Sequence, residues 1–258
     1  MRLLSTWSAG NAGQSAQTVP VDVGAERDEA EAAFMRTMTK RGIQVEVEVL
    51  RRQKAEMWNL SAVKRQSILV CEAGVDNVHA MQRFDQCCLF HGTDPNTAHT
   101  IISQGFKRSF CGNKITRYGN GVHFARDASY SSRRTYATAD TQGVQCMFLC
   151  RVVVGVYCRG IQNALTPAVR NDNMLFDTIV DDMANPSIHV TYHDAQAYPE
   201  YLSHFRQCAA KLINHIRDTR VNDMANPSKY VTYHDAQTHP NNLPIPVNYL
   251  YDSGSERG

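Results

Sequence analysis

Residues 146–157 read CMFLCRVVVGVY, and this stretch decides the fold class. Almost every residue in it is apolar or β-branched. The valine content disfavours a helix, because β-branched side chains lose rotamer freedom there. An apolar run without alternation is typical of a strand that is buried on both faces. We therefore predict a central strand at this position in the chain.

Further strands and helices are spread along the chain on both sides of that run. Residues 43–49 (IQVEVEV) alternate apolar and polar, as half-buried strands do. Shorter strands are predicted at 89–93 and 188–192, and residues 118–125 are predicted to be a glycine-flanked turn that leads into a short strand. Helices are predicted at 25–40, 51–66, 97–104 and 128–136, with Asp94 or Asn96 capping the third and Asp127 capping the fourth. This mixture predicts an α+β fold.

The composition excludes several classes of protein. Hydrophobic residues make up 43% of the 258 residues, which argues against wholesale disorder. The 27 Lys and Arg nearly balance the 25 Asp and Glu, so charge gives no reason to expect nucleic acid or a membrane surface as partner. The eight cysteines form no CxxC pair, so we expect no metal site and reduced thiols in a nuclear or cytoplasmic protein.

The chain divides into three predicted parts. Residues 1–26 are rich in small polar residues and are predicted to be a mobile tail. Residues 27–210 form the folded domain, and residues 211–258 form a second tail. That tail repeats part of the domain, because 182–196 (DMANPSIHVTYHDAQ) returns as 223–237 (DMANPSKYVTYHDAQ). We expect the first copy to supply the strand, since only that copy continues into QAYPEYL.

Three short pieces carry the residue types that chemistry needs. They are FHGT (90–93), YGNGVHFA (118–125) with DASYSS (127–132), and the stretch 187–201. A histidine before a glycine at a strand end can present its ring and a backbone amide together. Gly92, Gly119 and Gly121 would let a ligand approach the main chain closely. Such turns suit a flat amide or a phosphate.

Taken together and in this order, the motifs resemble the catalytic domain of the poly(ADP-ribose) polymerase family. The pieces are LFHGTD, YGNGVHFARDASYSS, MFLCRVVVGVYCRG, LFDT and QAYPEYL, and they span roughly residues 34–205. The likeness is closest to the mono-ADP-ribosylating branch, among its macrodomain-linked members. The resemblance implies an ADP-ribosyltransferase-like split antiparallel β-sheet with flanking helices, and NAD as the substrate.

The resemblance also implies roles for individual residues. His91 matches the histidine that binds the adenosine-side ribose, and Gly92 matches the residue whose backbone holds the nicotinamide amide. Ser131 matches the serine that donates to the amide carbonyl, and Tyr136 matches the aromatic residue that stacks on the nicotinamide ring. The remaining NAD-binding positions implied by the motifs are Thr93 and Tyr118.

Two catalytic positions depart from the pattern of the polymerases in that family. Ile188 stands where they have a glutamate that chain elongation needs, so the resemblance implies transfer of single units. Glu200 is no substitute, because it lies beyond that strand. His123 stands at the position of a tyrosine that packs on nicotinamide. A protonated imidazole would repel the cationic ring, so we expect NAD binding to weaken below about pH 6.5.

Three functions are compatible with these residues. The first is a mono-ADP-ribosyltransferase, with His91, His123 and Ile188 at its catalytic positions and an acidic protein side chain, or the chain itself, as acceptor. The second is an inactive relative that binds a protein or nucleotide. The third is an enzyme like the tRNA 2′-phosphotransferases, for which Arg126, Arg133 and Arg134 could bind phosphate.

Overall fold

The computed structural model describes residues 17–38, 48–72, 86–110, 117–171 and 174–207. Its strands are β1 (Gln17–Pro20), β2 (Glu48–Gln53), β3 (Gln86–Thr93), β4 (Val122–Ala125), β5 (Val144–Val153), β6 (Tyr157–Arg159), β7 (Val169–Asn171), β8 (Met174–Leu175), β9 (Thr178–Val180), β10 (Ile188–Thr191) and β11 (Ala197–Arg206). Its helices are α1 (Ala25–Thr37), α2 (Ala55–Glu72), α3 (Pro95–Gln104) and the single turn α4 (Ala128–Ser131).

The described strands form one nine-stranded sheet and a separate β7–β8 pair. The order in the large sheet is β1-β2-β11-β5-β3-β4-β10-β9-β6. All neighbours are antiparallel except β6 and β9. Strands β3 and β4 are registered through a single pair, Phe90 with Ala125. The sheet therefore consists of two halves that meet at one narrow junction, which confirms the predicted α+β fold with a split, largely antiparallel sheet.

Strand β5 is buried on both faces, as its sequence predicts. Phe148 and Cys150 belong to one hydrophobic cluster, which also contains Ile101 of α3. Met147 and Leu149 belong to another, which contains Phe34 of α1. Because successive side chains of a strand point to opposite faces, α1 and α3 cover opposite faces of the sheet. The strand ends earlier than predicted, at Val153, and Gly155 follows with a φ of 61°.

The predicted helix boundaries agree best with the structure where a capping residue is present. The side chain of Asp94 accepts a hydrogen bond from the backbone N–H of Thr97 at 3.0 Å, and Gly105 ends α3 with a φ of 79°. The alternative cap, Asn96, lies inside the helix. Helix α2 begins at Ala55 and packs Trp58 edge-on against Tyr198 of β11, with ring centroids 5.2 Å apart.

Several predicted elements need correction. The segment 51–53 belongs to β2 and not to a helix, because its residues pair with β1 and β11. Residues 43–47 of the predicted alternating strand lie outside the described residues, and β2 begins at Glu48. The helix predicted at 25–40 ends at Thr37, and the one predicted at 128–136 is only the turn α4. The last strand, β11, was not predicted.

The predicted tails are only partly described. Residues 17–20 form β1 and pair with β2, so the prediction of a tail over 1–26 is wrong for that segment. The first copy of the repeat supplies β10, as expected. Residues 211–258, with the second copy at 223–237, lie outside the described residues. No helix in the described ranges is long and apolar enough to cross a membrane.

Candidate functional site

The candidate site is a pocket at the junction of the two half-sheets. Its wall combines side chains from β3, β4, β10 and the α4 turn; the lining residues are His91, Gly92, His123, Phe124, Ala125, Tyr130, Ser131, Tyr136 and Ile188. Six of the eight residues singled out from the sequence are in this lining. The junction opens the sheet here, because only Phe90 and Ala125 are registered across it.

His91 bridges the junction from β3. Its Nδ1 lies 2.8 Å from the carbonyl oxygen of His123, and since a carbonyl only accepts, Nδ1 carries the proton. The ring packs against Phe106 and Phe124, at centroid distances of 5.0 and 5.6 Å. Burial lowers the pKa of His91 to about 4. The ring is therefore neutral at pH 7, and its Nε2 is a hydrogen-bond acceptor.

His123 is fixed by a similar bond within its own segment. Its Nε2 donates to the carbonyl oxygen of Gly119 at 2.8 Å. Gly119 has a φ of 135°, and a side chain there would meet the hydroxyl of Tyr192, so the turn requires glycine. Burial lowers the pKa of His123 below its usual 6.5. The pH at which NAD binding is expected to weaken therefore moves below the 6.5 inferred from the sequence.

Ile188 makes the neighbouring part of the pocket apolar. In the ladder between β10 and β4 it stands opposite Ala125, and Val190 stands opposite His123. Ile188 and His123 are thus diagonal neighbours on one face of the sheet. The carboxylate of Asp181 accepts hydrogen bonds from the backbone N–H groups of Ser187 and Ile188, at 2.8 and 2.9 Å, and so fixes the start of β10.

The described part of the pocket lining contains no carboxylate. Glu200, which the sequence also offered, is 3% exposed on β11 and is not part of the lining. It forms an ion pair with Arg151 at 2.6 Å. The sequence-based view that Glu200 does not replace the missing glutamate therefore agrees with its position in the sheet.

The backbone around Gly92 and Ser131 is closely packed. A Cβ atom on Gly92 would overlap the carbonyl oxygen of Ser131 and would lie 3.2 Å from Cβ of Ala137. The hydroxyl of Ser131 donates to the carbonyl of Phe90 at 3.0 Å. The role implied by the resemblance, donation to an amide carbonyl, therefore requires this hydroxyl to rotate away from Phe90.

Tyr136 is the last member of a stack at the mouth of the pocket. Its ring lies nearly parallel to that of Tyr130, with centroids 5.1 Å apart and an interplanar angle of 21°. The two hydroxyl oxygens are 2.8 Å apart. The guanidinium of Arg133 lies 4.5 Å from the centroid of Tyr130. Tyr136 is 43% exposed, so part of its surface is open to a flat ligand.

Two glutamines hold the turn that carries these rings. The buried Gln145 of β5 donates from Nε2 to the carbonyl oxygens of Ser132, at 3.1 Å, and Ala137. Gln207 donates to the same carbonyl of Ser132 at 2.6 Å. These three side-chain hydrogen bonds add to the backbone bonds of the turn, which include those from the N–H groups of Tyr136 and Ala137 to the carbonyl of Arg133.

Two predicted residues lie outside the lining, and three lining residues, Phe124, Ala125 and Tyr130, were not predicted. Thr93 is buried on β3, two residues beyond His91, and the ring of Tyr118 packs against the cluster that contains Ile188. Neither belongs to the pocket wall. Tyr130 was not singled out, although it lies in the quoted motif DASYSS. Tyr130 and Tyr136 are six positions apart, and residues with that spacing are not neighbours on a helix. Their contact therefore depends on the non-helical turn between them, which the sequence did not predict.

Comparison with known proteins gives a family match. The sequence model of the poly(ADP-ribose) polymerase catalytic domain matches residues 39–174, slightly more than half of the chain. The chain is 33% identical over 158 residues to the human protein mono-ADP-ribosyltransferase PARP14, which is 60% of this chain and 8% of that protein. It is 41% identical over 120 residues to mouse PARP12, covering 46% and 16% respectively, and 29% identical over 199 residues to mouse PARP11, covering 70% and 57%. The chain thus spans less than two thirds of the length of each of these relatives.

Proposed function

This chain belongs to the poly(ADP-ribose) polymerase catalytic domain family, and on that premise we propose that it is an NAD-dependent protein mono-ADP-ribosyltransferase. It transfers single ADP-ribose units to protein side chains and releases nicotinamide, as a pentosyl-transferring glycosyltransferase. The relatives described above are named as protein mono-ADP-ribosyltransferases, which supports this assignment. No observation favours an inactive binding protein or an RNA 2′-phosphotransferase.

The observation that carries the proposal is the set of groups gathered at the junction. Two neutral imidazoles, of His91 and His123, each present an unprotonated nitrogen, which suits the hydroxyl donors of a ribose. The absence of a side chain at Gly92 lets the backbone of Ser131 pack directly against β3, which brings Ser131 and the backbone of Gly92 together in the lining. The partly exposed ring of Tyr136 offers a face to the nicotinamide ring. These features fit NAD as substrate.

The apolar residue at position 188 accounts for the transfer of single units. Breaking the bond between C1′ of the ribose and the nicotinamide nitrogen leaves the electron pair on nicotinamide and positive charge on the sugar. With Ile188 in the lining and no carboxylate there, the described pocket walls offer no negative charge to that centre. A carboxylate of the acceptor would supply it. The acceptor we propose is therefore an acidic side chain of a protein, or of this chain itself.

We propose the nucleus or cytoplasm as the compartment. The thiols of Cys88, Cys146, Cys150 and Cys158 are free in the structure, which suits a reducing environment. Microscopy of the tagged full chain tests this, and exclusive recovery in a secretory compartment would contradict it.

The intact mass of the full chain, incubated with NAD at pH 8, tests the proposed function. We expect added mass in steps of one ADP-ribose, and site mapping should find single units on separate side chains. His91→Ala should add no mass, because it removes the group that bridges the junction. His99→Gln is the matched control, since His99 is an exposed histidine of α3. An unmodified wild-type chain together with no nicotinamide release would refute the proposal.

A further inference from the structure

Two arginines at the mouth of the pocket have no anionic partner among the residues that the structure describes. Arg133 and Arg134 are exposed and lie between Ser131 and Tyr136, which both line the pocket. None of the ion pairs that the described residues form involves either arginine. The guanidinium of Arg133 lies 4.5 Å from the centroid of the Tyr130 ring. A cation over an aromatic face keeps its N–H groups available for an anion.

Arg126, the third arginine of this segment, already has partners. Its Nη1 donates to Oδ1 of Asn185 at 2.6 Å and to the carbonyl of Pro186 at 3.3 Å, and its Nη2 lies 3.5 Å from a carboxylate oxygen of Asp127. These contacts tie the end of β4 to the residues before β10. The structure thus separates the three arginines that the sequence offered for phosphate binding, because one supports the sheet and two face solvent.

The acidic residues of the same segment do not neutralise these two arginines. Residues 126–143 contain two aspartates. Asp127 is the partner of Arg126, and Asp140 accepts hydrogen bonds at 2.8 Å from two backbone N–H groups of its own turn. The partner that suits Arg133 and Arg134 is therefore an anion from outside this segment.

The backbone that carries the two arginines is fixed. The carbonyl of Arg133 accepts hydrogen bonds from the N–H groups of Tyr136 and Ala137, at 2.8 and 2.9 Å. The carbonyl before it, that of Ser132, is bound by two glutamine side chains. Two positive charges are thus presented at a defined place beside Tyr136, so an anion that binds there does not have to order the turn.

We propose that Arg133 and Arg134 dock the acceptor of the reaction, and that this acceptor is an acidic protein segment with further carboxylates beside the one that is modified. The inference rests on the proposed function and adds to it the surface that selects the acceptor. Because the described part of the lining contains no carboxylate, the modified side chain brings its own to the reacting centre. The carboxylates beside it meet the two guanidiniums, whose planar N–H groups match a carboxylate in bidentate geometry.

The position of these charges determines which kinetic constant they affect. Departure of nicotinamide leaves positive charge on the ribose, and a guanidinium does not stabilise such a charge. At the mouth, the same guanidiniums attract an anionic segment before any bond breaks. Exposed ion pairs are individually weak and are screened by salt. Their effect therefore falls on the KM of the acceptor and on its salt dependence, and not on kcat.

Two synthetic peptides with a central glutamate, incubated with the full chain and NAD, test the docking surface. In one peptide the central glutamate has aspartates on both sides, and in the other it has asparagines. Incorporated ADP-ribose gives a KM for each peptide. The ratio of KM between a variant and the wild type is then compared for the two peptides, which cancels the larger number of carboxylates in the first.

Loss of both guanidiniums should weaken only the acidic peptide. Arg133→Gln combined with Arg134→Gln should raise the KM of the aspartate-flanked peptide about fivefold at low salt, and that of the other peptide less than about twofold. Sodium chloride raised from about 50 to about 300 mM should remove most of this difference. Arg159→Gln is the matched control, since Arg159 is an exposed arginine of β6 outside the lining.

Thermal unfolding verifies that the variants are folded. Arg134→Gln alone is the second variant if the double substitution prevents folding, because it keeps Arg133 on the ring of Tyr130. It should raise the KM of the aspartate-flanked peptide about twofold.

Three results would overturn the docking role. An equal rise in KM for both peptides would show that the arginines support the turn and do not select the acceptor. An equal rise in Arg159→Gln would show an effect of overall charge. An RNA oligonucleotide that accepts ADP-ribose with a KM that depends on the two arginines, while the KM of the peptides does not, would assign this surface to nucleic-acid phosphates.

Failure of the proposed function gives a different result. A wild-type chain that labels neither peptide and does not label itself refutes the transferase, and the docking role with it. A wild-type chain that labels both peptides, with KM values that do not change in the arginine variants, refutes the docking role alone.

Discussion

The pocket has two walls that are held in place by different means. The strand wall consists of His91, His123 and Ile188, and the loop wall consists of Tyr130, Ser131 and Tyr136. Register and pleat place the residues of the strand wall, with one hydrogen bond across the junction. The loop wall has one helical turn and a few further backbone hydrogen bonds, and the side chains of Gln145 and Gln207 bind its carbonyl groups. Backbone pairing between strands therefore places the strand wall, whereas the loop wall depends on side-chain hydrogen bonds to its backbone.

The largest expected effect comes from the point where the two walls touch. Gly92→Ala would place a Cβ atom against the backbone carbonyl of Ser131, which cannot move without displacing the loop wall. We expect destabilisation of at least about 1–3 kcal/mol and a loss of nicotinamide release of more than about 100-fold. Denaturant unfolding and a nicotinamide assay measure the two effects.

Gly143→Ala is the control for that substitution. Gly143, unlike Gly92, has a positive φ, 81°, and a Cβ atom there meets nothing within 4 Å. It should therefore cost only the backbone strain, about 1–2 kcal/mol, and leave nicotinamide release near wild type. Equal losses of nicotinamide release in the two variants would show that contact between the walls is unimportant.

Acid should weaken the strand wall more than the loop wall. The folded state keeps His91 neutral down to about pH 4, while the unfolded chain takes up a proton near its usual value of 6.5. Because the unfolded state binds the extra proton, the free energy of unfolding falls as pH drops from 6.5 to 4, by about 1.4 kcal/mol per pH unit for this residue.

Denaturant midpoints between pH 4 and pH 7 measure that slope. His91→Gln should make it shallower but not flat, because burial also lowers the pKa of His189 to about 4. An identical slope in His91→Gln and wild type would contradict the assignment. NAD affinity should also fall at low pH, as His123 becomes cationic, with a midpoint below 6.5.

Removal of a distant support should damage the loop wall selectively. Gln145→Leu fills the same space but leaves the carbonyls of Ser132 and Ala137 with fewer donors. We expect a loss of about 1–3 kcal/mol in stability and a higher KM for NAD, because Tyr136 loses its fixed position. Gln142→Leu, at an exposed position, is the control. An unchanged KM would show that the turn keeps its conformation without the hydrogen bonds from Gln145.

The smallest expected effect concerns the hydroxyl pair at the mouth. Tyr130→Phe keeps the stacked rings but removes one hydroxyl of the bond to Tyr136. Its cost in stability should be about 0.5–1.5 kcal/mol, with a rise in KM of a few fold. Tyr157→Phe, on β6 and outside the lining, is the matched control for kinetic measurements. A larger rise in KM from Tyr157→Phe would contradict the role of the hydroxyl pair.

The elements that the sequence predicted well differ from those that it missed in the kind of interaction that forms them. Helix α3 was predicted because Asp94 and Gly105 are local signals that act on their own neighbours. Strand β5 was predicted because its apolar run reflects burial on both faces. Both elements were predicted from patterns that lie within the element itself.

The failures come from contacts between distant residues. Strand β11 contains Pro199 and Glu200, which disfavour a central strand. In the structure the register shifts between Pro199 and Tyr201, and Arg151 neutralises Glu200. Residues 132–136 have no helix-breaking signal, and two of the side chains that bind this turn, Gln145 of β5 and Gln207, lie outside it. The roles of individual residues toward NAD remain predictions from the resemblance.

The central place of β11 has a consequence for how the protein is made. The strand lies between β2 and β5 and forms hydrogen bonds with both. The ribosome makes it after every other described strand. Until residue 206 is available, β1 and β2 have no neighbour through which to join the remaining sheet. Completion of the sheet therefore waits for a pairing of long sequence separation, which is slow to form. The nascent chain carries two unpaired strand edges during that interval, and such edges are the surfaces on which chaperones act or chains aggregate.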